Sequence, residues 1–170
     1  MTTTLAPLTS ENFEIVARWL SDPTINAVLS ADWRGKRVTT TLIAIAVRNN
    51  QNRFFLIRNG LEPCGIVALS DLDVADKCAM VWYFMGEMSL RGKGITTEAV
   101  RKLVDIAFSE FGLECIFAWA IASNADSIKL LKTVGFQEVG RIRRSVCISG
   151  RQHDKIYFDL IRDEWFCRFD

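Results

Sequence analysis

A glycine-rich turn between an apolar segment and an amphipathic helix limits the possible folds of this chain more than any other feature. The apolar segment is Met80–Met85, and the turn lies within Leu90–Ala99 as Arg91-Gly92-Lys93-Gly94. Glycines let the backbone turn tightly with its N–H groups pointing one way, and a helix starting there adds free N–H groups and the positive end of its dipole. This combination favours a bound phosphate or pyrophosphate, although the turn alone is equally compatible with an ordinary basic loop.

The apolar periodicity of the rest of the chain predicts further helices and strands. Spacings of three and four indicate helices at Phe13–Leu20, at Thr39–Arg48, from near Thr97 to Phe111, and from Asn124 to Gly135. Apolar runs indicate strands at Arg53–Arg58, Cys64–Leu69, Met80–Met85, Cys115–Ile121, Val139–Val146 and Lys155–Ile161. We expect a hairpin around Asn59-Gly60 with a loop somewhat longer than two residues. The order predicts one α/β domain, residues 1–170, with a mixed central sheet flanked by helices.

Composition argues against several classes of function. The chain has 170 residues, 49% of them apolar, which suits a single core, and its 21 Lys and Arg nearly balance 20 Asp and Glu. That balance argues against a broad nucleic-acid surface, and no apolar run approaches the ~20 residues of a membrane span. Five cysteines without a C-x-x-C pair and a single histidine argue against a metal site. With no signal-peptide pattern, the odd cysteine count favours a cytoplasmic location.

The turn and a second motif further along the chain together resemble a known family. Arg91-Gly92-Lys93-Gly94-Ile95-Thr96 is similar to the pattern Gln/Arg-x-x-Gly-x-Gly/Ala. Asn124 and Ser127, followed by Gly135-Phe136, are similar to Asn-x-x-Ser/Ala, a short helix and Gly-Phe. Over roughly residues 8–165 the chain resembles the GCN5-related N-acetyltransferase (GNAT) family. Within that family it looks most like the branch of ribosomal-protein alanine, polyamine and nucleotide-amino-sugar acetyltransferases.

The resemblance implies that acetyl-CoA is the acetyl donor. Backbone N–H groups of the turn would hold the pyrophosphate, and a backbone N–H near the end of the preceding strand would meet the thioester carbonyl. The implied cofactor-binding residues are Phe84, Met85, Arg91, Gly92, Lys93, Gly94, Ile95, Thr96 and Asn124. Thr96 departs from the family's Gly or Ala. Because a β-branched residue resists positive φ, we expect an altered local geometry with binding retained.

The candidate catalytic residues are Asn124, Ser127 and Tyr83. Many family members carry a Tyr seven residues after the motif Asn, which protonates the leaving sulfur, and this chain has Leu131 there. Asn124 and Ser127 could position a water or donate a proton near the sulfur, or they could simply cap a helix. Tyr83 lies on the strand near the expected centre, and strand alternation decides whether it faces the open side of the sheet or the core.

No single general base is predicted. Some relatives have a Glu on the strand before the turn, and Met80 stands at that position here. The remaining candidates are Asp71, Asp73, Glu87 and His153. Transfer without a base is also possible if the amine arrives partly deprotonated.

The acceptor pocket is expected to involve Trp33, Arg34 and Arg37, because the N-terminal region shapes that pocket in the family. Trp33 could clamp a sugar, base or peptide end, or it could anchor a loop to the core. The arginines could bind an anionic diphosphate through charge-assisted hydrogen bonds. These residues favour a small primary amine such as a nucleotide-linked amino sugar, with a polyamine or a protein N-terminus as alternatives.

The expected reaction is direct transfer of the acetyl group from acetyl-CoA to the amine, by a monomer or a homodimer. The missing Tyr and Glu leave open a different class, a catalytically weak acyl-CoA-binding sensor or interaction module. A generic nucleotide-phosphate binder is a third possibility, although the turn lacks the Gly-Lys-Ser/Thr of a P-loop and the full dinucleotide fingerprint.

Overall fold

The computed structural model describes residues 2–168, which form seven strands and six α-helices. The strands are β1 (Thr3–Pro7), β2 (Arg53–Asn59), β3 (Glu62–Asp73), β4 (Cys78–Met85), β5 (Cys115–Ile121), β6 (Gln137–Ile148) and β7 (Arg151–Ile161). The helices are α1 (Phe13–Ser21), α2 (Pro23–Asn26), α3 (Thr40–Arg48), α4 (Ile95–Ser109), α5 (Ala125–Val134) and α6 (Arg162–Phe166).

One mixed sheet contains all seven strands, in the order β1-β2-β3-β4-β5-β7-β6. The β4–β5 pair is parallel, and the other neighbours are antiparallel. β4 and β5 pair only at their first residues, from Cys78 with Cys115 to Met80 with Phe117. Beyond Met80 the two strands run on without pairing, so the sheet opens at this point. The predicted mixed α/β architecture is confirmed.

Helices cover the two faces of the sheet unequally. On one face, α4 and α5 bury a large apolar cluster that includes Val81, Leu103 and Ile156. On the other face, the buried cluster joins α1 and α3 to β2, β3 and β4, and Trp19 and Phe84 belong to it. That second cluster contains no described residue of β5, β6 or β7. The part of this face formed by β5 and β7 is therefore only half covered.

Several element boundaries differ from the sequence-based prediction. β1 was not predicted, and α4 begins at Ile95 rather than near Thr97, because Gly94 takes the N-cap position. The β2–β3 hairpin is tighter than expected, since Asn59 pairs with Glu62 and leaves a two-residue turn. The predictions of Cys115–Ile121 as a strand and of Gly135 as the end of α5 are confirmed.

Candidate functional site

A cleft of about 860 Å³ opens where β4 and β5 separate. Its walls are β4 from Met80 to Met85 and β5 from Trp119 to Ile121, and it is closed at one end by the turn before α4. In the antiparallel ladder with β3, alternate residues of β4 point their N–H and C=O groups away from β3, toward this cleft. The cleft therefore offers unpaired backbone donors and acceptors along one side, which suits an extended amide-containing chain.

The turn before α4 has the conformation that the two glycines predict. Gly92 and Gly94 have φ of 75° and 78°, and a Cβ at either position would have no neighbour within 4 Å. Glycine is therefore favoured at both positions because of the positive φ, and not because a larger side chain would clash with a neighbour. Gly94 starts α4, so free N–H groups of its first turn point into the cleft at the positive end of the helix dipole. These groups fit a pyrophosphate.

Thr96 lies in the first turn of α4, where its φ is negative. The expected conflict between its β-branched side chain and a positive φ therefore does not arise. Thr96, Arg91 and Ile95 all line the cleft, together with Gly92 and Gly94. Lys93 is exposed and does not belong to the lining within residues 2–168.

The end of β4 is held rigidly from both sides. The N–H groups of Gly86 and Glu87 both donate to the Cys64 carbonyl, at 2.8 and 3.0 Å. Trp19 lies against Gly86 so closely that a Cβ there would overlap the indole ring, and the indole N–H donates to Glu87 Oε1 at 3.0 Å. Phe84 and Met85 are buried, and both line the cleft. Their backbone is thus fixed where the thioester carbonyl was expected to bind.

Tyr83 lies on the face of the sheet that α4 and α5 cover, and its side chain reaches α5. Its Oη lies 2.8 Å from Ser127 Oγ, and the two hydroxyls share a hydrogen bond. Burial raises the pKa of Tyr83 to about 12, and the hydrogen bond with Ser127 opposes that rise in part. The phenol therefore stays protonated across the physiological range. Both side chains line the cleft, so a neutral proton-donating pair stands at its wall.

Asn124 and Ser127 have separate roles in local structure. The Asn124 side chain accepts a hydrogen bond from the Ser127 N–H at 3.1 Å and so caps α5. The Ser127 hydroxyl points instead to Tyr83. Asn124 lies on the wall of the cleft while acting as a cap.

Of the four candidate bases, only His153 lines the cleft in the described part of the chain. Asp73 accepts hydrogen bonds from the N–H groups of Ala75 and Asp76, and so stabilises its own turn. Glu87 accepts from the Trp19 indole, and Asp71 is exposed. His153 lies on β7.

The predicted acceptor residues lie beside the cleft and do not belong to its lining within residues 2–168. Trp33 packs in an aromatic cluster, with ring centroids 6.0 Å from Trp82 and 6.4 Å from Phe54. Arg34 follows it on the same loop, and Arg37 is exposed. The packing of Trp33 matches the alternative in which this residue anchors its loop.

Sequence reasoning missed two residues of β5 and β7 on this side of the sheet. Trp119 lines the cleft, and Lys155 Nζ lies 4.1 Å from the centroid of its ring. Trp119 on β5 and Lys155 on β7 each alternate along their strand with buried residues. That alternation could have shown which face they occupy, but not that the face lacks a covering helix.

Residues 2–168 contain neither a metal-binding cluster nor a membrane-spanning helix. No group of three or more His, Cys, Asp or Glu residues is placed to hold a metal ion. No helix in that part of the chain has the length and hydropathy needed to cross a membrane.

Comparison with known proteins gives consistent matches. The family described as "Acetyltransferase (GNAT) domain" matches residues 3–137. The putative ribosomal N-acetyltransferase YdaF of Bacillus subtilis is 30% identical over 95% of this chain and 86% of its own length. The N-acetyltransferase p20 of Bacillus licheniformis is 28% identical over 95% of this chain and 94% of its own length.

A solved structure supports the fold independently. The spermidine N-acetyltransferase of Vibrio cholerae, in complex with CoA and spermine, superposes with a TM-score of 0.86. It covers 96% of this chain and 98% of its own, at 17% sequence identity. The cleft, the glycine turn and the sequence matches agree, and the chain belongs to the GNAT family as an acetyl-CoA-dependent N-acetyltransferase.

Proposed function

We propose that this protein transfers the acetyl group directly to a primary amine of a small acceptor, inside the cleft between β4 and β5. The observation that carries the proposal is the Tyr83–Ser127 pair, whose hydroxyl oxygens lie 2.8 Å apart on the cleft wall. Acetyl-CoA supplies the activated acetyl thioester. The chain's own residues must hold that group and polarise its carbonyl. They must also donate a proton to the sulfur and accept one from the amine.

The residues of the cleft suit these tasks. The turn Arg91–Thr96 and the first turn of α4 bind the pyrophosphate through backbone N–H groups and Arg91. The Met85 N–H, which points away from β3 in the alternating ladder, donates to the thioester carbonyl as negative charge develops on its oxygen. When the amine nitrogen bonds to the carbonyl carbon and the C–S bond breaks, the Tyr83–Ser127 pair donates a proton to the sulfur. Asn124 positions Ser127 through the cap on α5.

The proton released by the amine needs an acceptor. His153 is the candidate base that lines the cleft, and a neutral imidazole nitrogen can accept this proton. The alternative is an amine that arrives already deprotonated. His153→Gln distinguishes these two possibilities, because replacing the residue removes the acidic limb of the pH–rate profile only if that residue is the base.

The acceptor is a small amine, and a nucleotide-linked amino sugar is favoured over a polyamine. Among the described residues of the lining, Asp126 is the only carboxylate, whereas Arg91, Lys129 and His153 also face the cleft. A polyamine carries several positive charges and needs carboxylates to bind them. A protein N-terminus is the second candidate, and the 30% identity to a putative ribosomal N-acetyltransferase favours it.

The test is release of free CoA from acetyl-CoA with a panel of amines: nucleotide amino sugars, polyamines, amino acids, and short peptides beginning with Ala, Ser or Met. Acetyl-CoA without an amine measures background hydrolysis. We expect selective turnover of an amino sugar and a fall of at least tenfold in kcat for Tyr83→Phe and Ser127→Ala. Selective turnover of a peptide would overturn the small-amine proposal. CoA release that never exceeds the background would overturn the transfer itself.

A further inference from the structure

The half-covered face of β5 and β7 continues from the acceptor side of the cleft. On β5 and β7, Ile116, Ala118, Ile156 and Phe158 are fully or almost fully buried against α4 and α5. Trp119 and Lys155 occupy alternate positions that point to the opposite face, and both are only half buried. Because Trp119 also lines the cleft, a molecule entering from this side meets that face first.

Lys155 is a half-buried cation on this face without a carboxylate partner in residues 2–168. Its Nζ lies 4.1 Å from the centroid of the Trp119 ring, within the range of a cation–π interaction. The neighbouring Asp154 belongs to the opposite face of the strand and pairs with Arg141 at 3.6 Å. Burial, followed by the positive charge of Arg34, lowers the pKa of Lys155. Arg34 follows Trp33, whose ring centroid lies 6.0 Å from that of Trp82 on β4, and Trp82 and Trp119 both line the cleft. A half-buried ammonium group and a second cation therefore lie beside the same cleft.

Arg34 is the second cation, and its loop is fixed by a buried side chain. The Asn26 amide, 8% exposed, donates to the carbonyls of Leu20 and Trp33 at 2.9 Å each. Its oxygen accepts from the N–H of Gly35 at 2.6 Å. Trp33 and Gly35, the residues on both sides of Arg34, are thus tied to one buried amide. Arg34 makes no ion pair with a carboxylate in the described chain, and its guanidinium donates to the Leu29 carbonyl at 3.5 Å.

We propose that Lys155 and Arg34, with Trp119 between Lys155 and the cleft, form a subsite that binds an anionic group of the acceptor, either a phosphate or a carboxylate. Two like charges that are partly desolvated repel each other, and a bound anion between them removes that repulsion. A guanidinium on a fixed loop binds such a group bidentately, while the ammonium adds a point charge. The subsite would hold the acceptor by its anion while its amine reaches the thioester carbonyl carbon.

This inference rests on the proposed function, because it assigns a binding residue to the acceptor of that reaction. The two cations of the subsite would also determine which acceptors bind. Acceptors with a negative group near the amine bind, and polycations are repelled by the same two residues.

The test is isothermal titration of the protein saturated with CoA, so that the pyrophosphate site is already filled. The titrants are UDP, L-glutamate and spermidine, which separate a phosphate, a carboxylate and a polycation. The variants are Lys155→Met and Arg34→Gln, with Lys155→Arg as the charge-conserving form. Arg143→Gln, an exposed cation on the neighbouring strand β6, is the control for net charge.

We expect at least one of the two anions to bind more tightly than spermidine. Its Kd should rise at least tenfold in Lys155→Met and Arg34→Gln, and should stay within threefold in Lys155→Arg and Arg143→Gln. Binding of UDP assigns a phosphate subsite, and binding of glutamate a carboxylate subsite. The proposal is overturned if neither anion binds, if spermidine binds as tightly, or if either charge-removing variant raises Kd less than tenfold.

Kinetics with the acceptor identified by the amine panel separate this inference from the function on which it rests. Lys155→Met should raise the KM of that acceptor at least tenfold and leave kcat within twofold, with acetyl-CoA binding unchanged. If acetyl transfer proceeds with an unchanged KM, the subsite is wrong and the transfer proposal stands. If no amine releases CoA from the wild-type protein, the transfer proposal itself fails.

Discussion

In the proposed mechanism, the half-buried Tyr83 hydroxyl takes the place of a missing motif residue. The position that carries Tyr in many relatives is Leu131, which is fully buried here. A phenol from a different element, β4, reaches Ser127 instead. The sequence could not predict this arrangement, because Met80–Met85 is apolar at every position but one and gives no clear alternation. The partner on α5 is 44 residues away along the chain.

The raised pKa of Tyr83 makes stability depend on pH in alkaline solution. Below pH 10 the phenol is protonated in both the folded and the unfolded chain. Between pH 10 and about 12 the unfolded chain loses this proton while the folded protein retains it, so the free energy of unfolding falls. Two pH units correspond to about 2.7 kcal/mol.

Urea unfolding of the wild type and of Tyr83→Phe at pH 9, 10, 11 and 12 checks this expectation. Other groups titrate in both proteins and cancel in the difference. The wild type should lose about 2–3 kcal/mol more than Tyr83→Phe across this range. Parallel losses in the two proteins would show that the phenol is not held in its protonated form.

The boundaries of helices and strands were predicted most accurately where a capping residue or a glycine marks the end of the element. The α5 helix has Asn124 at its start and Gly135, with φ of 116°, at its end, and both were read from the sequence. β1 was missed because Thr3–Pro7 is short and includes a proline. The start of α4 was placed two residues late, because a left-handed glycine at the N-cap leaves no side-chain signal.

The cap on α5 links the stability of this helix to catalysis. Asn124→Ala removes the hydrogen bond to the Ser127 N–H and should cost about 1 kcal/mol of unfolding free energy. It should also lower kcat at least tenfold, because the Ser127 hydroxyl is displaced from Tyr83. The matched control is Thr39→Ala, which removes the equivalent cap of α3 at the Leu42 N–H. That variant should lose a similar stability and keep its kcat, and an Asn124→Ala protein with normal kcat would restrict Asn124 to a structural role.

The contact between α1 and the end of β4 predicts a large effect of one methyl group. In Gly86→Ala the new Cβ overlaps the Trp19 indole, which is 4% exposed and cannot move into solvent. Overpacking of this kind costs about 1–3 kcal/mol. Gly140→Ala on β6 is the control, since a Cβ there meets no atom within 4 Å and should change stability by less than about 0.5 kcal/mol. Equal stability of the two variants in urea unfolding would contradict the close contact.

In the molecule as a whole, the residues proposed to bind acetyl-CoA are close together in the sequence, whereas those proposed to bind the acceptor are far apart. The donor side is one continuous segment, Met80 to Thr96, so its residues are neighbours in sequence as well as in space. The proposed acceptor side combines the loop at Arg34, which the sequence indicated, with Trp119 on β5 and Lys155 on β7, which it did not. These residues come together only when the sheet forms, and their position depends on which face α1 and α3 leave open. No local pattern encodes such an arrangement.

Every proposed step requires that the turn before α4 binds acetyl-CoA. The direct test is the free energy of unfolding with and without acetyl-CoA, at a concentration about 100 times its Kd for the wild type. The wild type should gain about 2.7 kcal/mol. Gly94→Val should gain none, because valine at a φ of 78° distorts the turn. Gly112→Val has a similar strain at a φ of 63° beyond the far end of α4, and it should keep the full gain. A wild type that gains nothing, or a Gly94→Val protein that gains as much as Gly112→Val, would contradict the account.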